Sequence, residues 1–369
     1  VCHKCLTPCP VDIDFGDVSI HMRNILSAQG QKRVNLGTRA SMLFLFIKDP
    51  LAIKLVRKGL VQWGYRMQRL ASKVLRPLLR TGSDTIPHNT TGKPRLGSQI
   101  VHLIDKPMPS RIPARPMRAI LGLEDGKTVP IIRNPRLAAE NADAVFYFPG
   151  CGSERLFSEV GLATLAMLYR QGVTTVLPPG YLCCGYPQNA AGMEERGTQI
   201  TTENRVLFHR IANTLNYLDI STVVVSCGTC MDQLLKYEFE RIFPGCRLLD
   251  VHEYLLEKGV KLDGATGRQY LYHDPCHSPM KTHNPLKVAR ELTGSEVQLS
   301  DRCCGESGTL GTARPDIASQ LRFRKSEELL KGIRIMTGSE RAEESETKLL
   351  TSCPACQQGL AKYTDETGL

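Results

Sequence analysis

Thr222-Val223-Val224-Val225-Ser226-Cys227-Gly228-Thr229-Cys230 carries a β-branched run straight into a Cys-x-x-Cys pair. Lys348-Leu349-Leu350-Thr351-Ser352-Cys353-Pro354-Ala355-Cys356 runs a second short apolar stretch into the same pair near the other end of the chain. A short apolar run bounded by a glycine- or proline-containing loop reads as a buried strand, and each strand here delivers a thiol pair at its carboxyl end. Each pair also closes a longer series. The first is Cys151, the doublet Cys183-Cys184 followed by Gly185, then Cys227 and Cys230. The second is Cys276, Cys303-Cys304 followed by Gly305, then Cys353 and Cys356.

The residues between these cysteines repeat as well. In the first half, strands are expected over 144–148, 174–177 and 222–225, and helices over 159–170, 202–218 and 231–237. In the second half the strands fall at 270–273, 296–299 and 348–351, with helices at 284–292 and 315–330 and helix again after Cys356. Both halves read as strand, cysteine, helix, strand, doublet, helix, strand, Cys-x-x-Cys, helix. Such alternation predicts a small, mostly parallel α/β layer in each half, and an internal duplication accounts for the repeat. Ligands of such layers gather at the carboxyl ends of the strands, which is where every one of these cysteines falls.

With 369 residues, 41% hydrophobic and 23% charged, the chain has the composition of a soluble globular protein with a sizeable core. Fourteen cysteines in this length are too sparse for a disulfide-stapled miniature. The longest apolar run, around 42–47, is far short of the 18 or so residues of a spanning helix. No secretory signal is visible, and the thiols read as metal ligands in a reducing compartment. The formal charge of +10 is concentrated. Residues 41–120 hold 15 Lys or Arg against Asp49, Asp84 and Asp105, and 51–80 hold eight basic residues and no acidic one. This stretch reads as a solvated basic helix, a docking surface for an acidic protein, or a contact with anionic lipid. No motif supports nucleic acid.

Cys2, Cys5, Cys9 and Pro10 form a third group, spaced Cys-x2-Cys-x3-Cys-Pro. They match the last three cysteines and the proline of the cubane run of two-cluster ferredoxins. The first cysteine of that run would fall just ahead of Val1, so further polypeptide is expected there. In that run Cys2 and Cys5 serve the local cluster and Cys9 the other one. A helix is expected over 15–28 and mostly helix over 40–81, broken near Asp49-Pro50. Residues 82–143, rich in Pro, Gly, Arg and Asn, read as an extended linker with little structure of its own. The expected divisions are 1–81, the C-terminal part of a helical ferredoxin-type module; 82–143, the linker; and 144–264 and 265–369, the two repeats.

Each half offers five thiols, one more than a tetrahedral zinc site or a cubane cluster uses. Adjacent cysteines cannot easily serve one metal, but they can bridge or bind separate irons of an open cluster. The glycine after each doublet is expected to let the backbone approach that cluster. The ten-cysteine pattern resembles the duplicated cysteine-rich CCG domain. That domain occurs in the catalytic subunit of heterodisulfide reductase, in the iron–sulfur subunits of glycolate oxidase, anaerobic glycerol-3-phosphate dehydrogenase and lactate-utilisation enzymes, and fused to flavin-dependent 2-hydroxy-acid dehydrogenases. The resemblance spans 144–363, and the ferredoxin module ahead of it follows the order of the glycolate oxidase-like proteins.

The resemblance implies a non-cubane 4Fe–4S cluster with five cysteine ligands in one or both halves, and a cubane 4Fe–4S cluster at the N-terminus. Zinc in one half is the competing expectation, as in some relatives. The second half is tighter, with 26 residues between Cys276 and Cys303 against 31 between Cys151 and Cys183. No G-x-G-x-x-G fingerprint is present, so FAD is expected in an upstream domain or a partner flavoprotein. The implied activity is that of an iron–sulfur oxidoreductase component. It would pass electrons from a 2-hydroxy acid (lactate, glycolate or 2-hydroxyglutarate) to a quinone, an acidic carrier protein or another acceptor, in the cytoplasm or at the inner face of the membrane. A disulfide-reducing catalytic subunit and a zinc-held scaffold are the alternatives. Cys246 reads as a core thiol. His273 reads either as a donor to sulfur, as a proton carrier or as packing, and Lys236, Arg302 and Glu306 as neighbours of cysteines in sequence only.

Overall fold

The computed structural model describes residues 3–32, 34, 36–79, 92, 95–137, 143–262, 267–306, 310–343 and 346–369. Cys2 lies outside them, as does most of the stretch 80–94.

Two sheets carry the repeats. In the first, strands β1 (Ile131–Ile132), β2 (Ala144–Phe148), β3 (Thr174–Val176), β4 (Ile220–Val225) and β5 (Arg247–Asp250) lie in the order β1-β3-β2-β4-β5. All neighbours are parallel except β1, which runs antiparallel to β3. In the second, β6 (Gln269–His273), β7 (Val297–Leu299) and β8 (Thr347–Thr351) lie in the order β7-β6-β8, all parallel. In each sheet the first strand of the repeat is flanked by the next two. The chain therefore reverses its direction of travel beside β2 and beside β6, which opens a crevice at their carboxyl ends.

Every residue of β2 is buried, as a parallel strand covered on both faces requires. One face packs Phe146 and Phe148 against Phe208, Phe239 and Phe243; the other packs Val145 and Tyr147 among residues that include Tyr270 and Tyr272 of β6. Both apolar clusters contain residues from both sheets, so the halves share their core.

The helices are α1 (Phe15–Ala28), α2 (Leu36–Phe46), α3 (Pro50–Val56), α4 (Gly64–Leu79), α5 (Leu96–Asp105), α6 (Met117–Leu121), α7 (Ser158–Arg170), α8 (Tyr186–Ala190), α9 (Glu194–Thr214) and α10 (Gly228–Leu234). They continue with α11 (Val251–Glu257), α12 (Pro285–Thr293), α13 (Leu310–Ala313), α14 (Pro315–Thr337), α15 (Pro354–Leu360) and α16 (Thr364–Thr367). The expected break at Asp49-Pro50 is real: the Asp49 side chain caps the first turn of α3 by accepting from Ala52 N at 2.7 Å. A π-helical turn, Arg57–Trp63, joins α3 to α4.

Three expectations need correction. Residues 82–143 have structure of their own: α5 packs on α4 and α14, α6 docks near α7, and β1 extends the first sheet. The two halves are not equal, because the first has an additional strand, β5, which leads into α11 through a capping box at Asp250 and Glu253. Finally, α9 begins at Glu194 rather than 202, and α14 runs on to Thr337 rather than 330.

Part of the basic charge of residues 41–120 is internal. The Arg57 guanidinium donates to the carbonyls of Arg155, Leu156 and Pro113. Arg118 pairs with the buried Glu154 carboxylate and donates to Pro178 O at 2.7 Å. These cations hold the N-terminal helices onto the first repeat.

Candidate metal centre

Each repeat places its thiols with the same three devices. Cys151 and Cys276 follow the first strand, the doublets follow the second, and the third strand ends two residues before a cysteine that caps a helix. Cys227 and Cys353 are those caps, in extended backbone conformation, and Cys230 and Cys356 lie in the first turn of α10 and α15. Small polar pairs brace the arrangement in duplicate. Tyr147 Oη meets Ser226 Oγ at 2.9 Å, and Tyr272 Oη meets Ser352 Oγ at 3.0 Å. The Tyr237 hydroxyl donates to Cys184 O at 2.9 Å, and the Tyr363 hydroxyl to Cys304 O at 3.2 Å.

The ten thiols form one unbroken string. Its order is Cys151, Cys183, Cys184, Cys230, Cys227, then across to Cys353, Cys356, Cys304, Cys303 and Cys276, each beside a thiol that shifts its ionisation, with Cys304 Sγ donating to Cys356 Sγ at 3.6 Å. The string reads the same from either end, with its midpoint at the Cys227–Cys353 contact between the repeats. Seven of the ten residues are buried; Cys151, Cys276 and Cys303 are half-buried. Thiol and thiolate character varies along the string. Donation from Cys276 and Cys304 pulls Cys303 down to about 2, while Cys304, facing that anion, is pushed up to about 11. Cys227 is held low by Cys230 and Cys353, and Cys353 is pushed up to about 12 by Cys227. Five sulfurs per half, most of them buried and all gathered at strand ends, are a soft donor set that suits iron–sulfur clusters or zinc.

The glycines after the doublets bring backbone up to the sulfurs, as expected: Gly305 N donates to Cys303 Sγ at 3.4 Å, and the Gly185 N–H helps to lower Cys183. Gly185 and Gly305 adopt φ of +90° and +76°, and a Cβ there would press on Gly197 O or on the Arg322 side chain of the helix behind. They also turn the doublet loop tightly against α9 and α14. Gly228 is constrained for another reason: a Cβ would overlap the carbonyl oxygen of His277 in the other repeat.

Charged groups stand behind both sets. Arg155, 1% exposed, contributes a positive charge to Cys151 and Cys183 while donating to Phe44 O, Leu45 O and Ile47 O at the end of α2. Behind the second set, Glu306 accepts from Lys362 Nζ at 2.6 Å, Arg322 Nη2 at 3.0 Å and Gln358 Nε2 at 2.9 Å. Burial opposes the Glu306 charge, but Lys362 and Arg322 outweigh it and hold the carboxyl below its usual range. Glu306 is not a neighbour of Cys304 in sequence alone, because its backbone N–H also lowers the Cys304 thiol; among the described residues, Lys236 and Arg302 make no hydrogen bond to a thiol. The partners Arg322 and Lys362 come from α14 and the chain after α15, and no local pattern announces that they converge.

His273 groups with Cys304 and Cys356, one atom from each lying within 4.8 Å of the others. Its Nδ1 is 3.2 Å from both Ser300 O and Lys325 Nζ, and its buried Nε2 has no hydrogen-bond partner. Burial first and Lys325 second depress the ring to about 4, so it is neutral at neutral pH. A buried neutral imidazole with a spare nitrogen beside sulfur fits a donor to a sulfur cluster.

The N-terminal loop seats on the junction of the repeats. Lys4 pairs with Asp301 beside Cys276, and the His3 ring meets the His277 ring edge-on at 5.3 Å. His277 in turn bonds Tyr186 Oη at 2.8 Å and the Asp232 carboxylate, tying the loop to both repeats. Cys5 and Cys9 lie half-buried in that loop, Cys9 Sγ accepting from Ile13 N at 3.3 Å. Cys246 stands apart, half-buried at the edge of the first core, its thiol pushed up to about 11 by burial.

Residues 145–235 and 270–361 each match the cysteine-rich domain, CCG. The chain is 26% identical over 235 residues to an uncharacterized iron-sulfur protein of Methanococcus maripaludis, covering 61% of this chain and 43% of that one. It is 26% identical over 232 residues to a fumarate reductase (CoM/CoB) subunit of Methanothermobacter marburgensis, covering 60% and 42%. It is 26% identical over 196 residues to the probable glycolate oxidase iron-sulfur subunit of Bacillus subtilis, covering 48% and 43%. The chain thus spans less than half the length of these relatives. No solved structure matches.

Proposed function

We propose that this chain, a protein with two CCG domains related to iron–sulfur oxidoreductase subunits, is the electron-transfer module of a flavin-linked dehydrogenase. Cys151, Cys183, Cys184, Cys227 and Cys230 would hold one cluster, and Cys276, Cys303, Cys304, Cys353 and Cys356 the other. Cys5 and Cys9, with Cys2, would serve ferredoxin-type cubanes. The observation that carries the reading is the unbroken thiol string with the N-terminal loop seated beside Cys276, at its second-repeat end. An electron entering at Cys5 or Cys9 would reach the second set from its Cys276 end. Bound clusters would supply one-electron steps; the protein supplies burial, the Arg155, Arg322, Lys325 and Lys362 charges that favour the reduced state, and the exclusion of water. The donor would be a flavoprotein domain or subunit oxidising a 2-hydroxy acid, as the glycolate oxidase-like relative suggests. The acceptor would be a quinone or a carrier protein.

Anaerobic isolation should give iron and acid-labile sulfide in equal amounts, with electron paramagnetic resonance signals that change on reduction. Dye reduction by lactate, glycolate or 2-hydroxyglutarate should require an added flavoprotein. Zinc as the sole metal would sink the proposal.

The contact of Cys227 with Cys353 favours one alternative, a site that reduces a disulfide by taking one sulfur at each cluster. Turnover of a disulfide with reduced dye, and none with 2-hydroxy acids, would select it.

A further inference from the structure

Helix α4 is amphipathic in the inverted sense. Its polar residues face the protein: Gln68 donates to Leu103 O and Lys106 O at 2.8 and 2.9 Å and accepts from Met108 N at 2.7 Å. Arg69 donates to Met108 O at 2.7 Å, Ser72 is buried, and Arg76 pairs with Glu366. Its apolar residues face outward. Trp63, Met67, Leu70 and Val74, spaced four, three and four apart, share the opposite side and are 56%, 58%, 55% and 53% exposed. Four large apolar side chains aligned in water on one helix are not the scatter that ordinary surfaces show.

The charge around the stripe is of one sign. Arg66 and Lys73, seven residues apart, run along its border, and Lys58 precedes it; none of the three has an ion-pair or hydrogen-bond partner among the described residues. No acidic residue occurs between Leu51 and Leu79. No described helix is long and apolar enough to cross a membrane.

We infer that α4 and the π-turn before it form an interfacial docking surface for an anionic lipid bilayer. Trp63, Met67, Leu70 and Val74 enter the headgroup–acyl boundary while Lys58, Arg66 and Lys73 meet lipid phosphates. Tryptophan at one end of an apolar stripe with lysine and arginine alongside is the composition that lies in such an interface. An acidic protein would satisfy the cations but not a bare four-residue apolar ridge, and a neutral apolar partner would leave three cations without a function. The inference does not depend on which metal the thiols hold.

Trp63 is the only tryptophan of the chain, so its fluorescence reports on this face alone. The full chain is mixed with vesicles of phosphatidylcholine, with or without phosphatidylglycerol. The expected result is a blue shift and quenching by brominated lipid on the anionic vesicles, weakened by salt. Lys73→Gln should lower the partition coefficient about fivefold, the effect of roughly one juxtamembrane charge. Leu70→Glu, outward-facing and thus neutral for folding, should abolish the shift while circular dichroism and metal content stay unchanged. Absence of any shift on anionic vesicles overturns the inference. So does equal, salt-independent binding to neutral vesicles, or a blue shift that appears without lipid as concentration rises, which would make a second copy of the chain the occupant.

Discussion

Gly228 is a residue at which the two repeats touch closely. Its missing side chain is filled by the His277 carbonyl oxygen of the other repeat, and its neighbours in sequence are a cysteine and the threonine whose Oγ1 lies 3.2 Å from Cys227 Sγ. Gly228→Ala must push the repeats apart or bend α10. It should cost about 1–3 kcal/mol, the usual range for overpacking, read as a lower denaturation midpoint, and it should reduce metal loading in both halves. Gly97→Ala, in α5 with nothing within 4 Å, is the contrasting case and should be neutral or slightly stabilising. Glu306 supports a second prediction at this scale. Glu306→Gln leaves Arg322 and Lys362 buried without their anion. A loss of about 3–5 kcal/mol is expected from urea titration, as for other broken buried pairs.

At the scale of elements, the doublet loops are each latched by a tyrosine hydroxyl, Tyr237 in the first repeat and Tyr363 in the second. Either Tyr→Phe change leaves a buried carbonyl without its donor and should cost about 1 kcal/mol. The same loops should exchange amide hydrogens faster. At the start of α11, burial would depress the His252 ring, but the Asp250 carboxylate at 2.7 Å outweighs it and holds the ring above its ordinary value. A raised folded-state pKa stabilises below the unfolded value, near 6.5, and that contribution disappears as pH rises through the folded value. His252→Gln should therefore flatten the fall in stability as pH rises above about 6.5. Much at this scale was legible beforehand. The apolar runs before Cys227 and Cys353 announced both third strands, and Asp49-Pro50 marked a helix start. Strand β5 escaped because Arg247–Asp250 offers only two apolar residues in four; the Asp250…Glu253 capping box was the available signal. The Glu306 cluster escaped because its members come from three separate elements.

At the scale of the molecule, the duplicated frame and its ten strand-end cysteines were legible because spacing along a chain constrains α/β topology strongly. That the two sets join at Cys227 and Cys353 was not, since nothing local encodes how one repeat faces the other. This junction has a consequence for assembly. Before any metal arrives, the string is a row of thiols and thiolates in mutual contact, and the low-lying Cys227 is a ready nucleophile once its neighbour is oxidised. Metal-free chain exposed to air should accumulate a Cys227–Cys353 disulfide, detectable as a crosslinked peptide by mass spectrometry and absent in Cys353→Ser. One such bond would remove a candidate ligand from each half at a stroke. The midpoint that joins the two centres thus also makes them share one vulnerability, and filling either half first would protect the other.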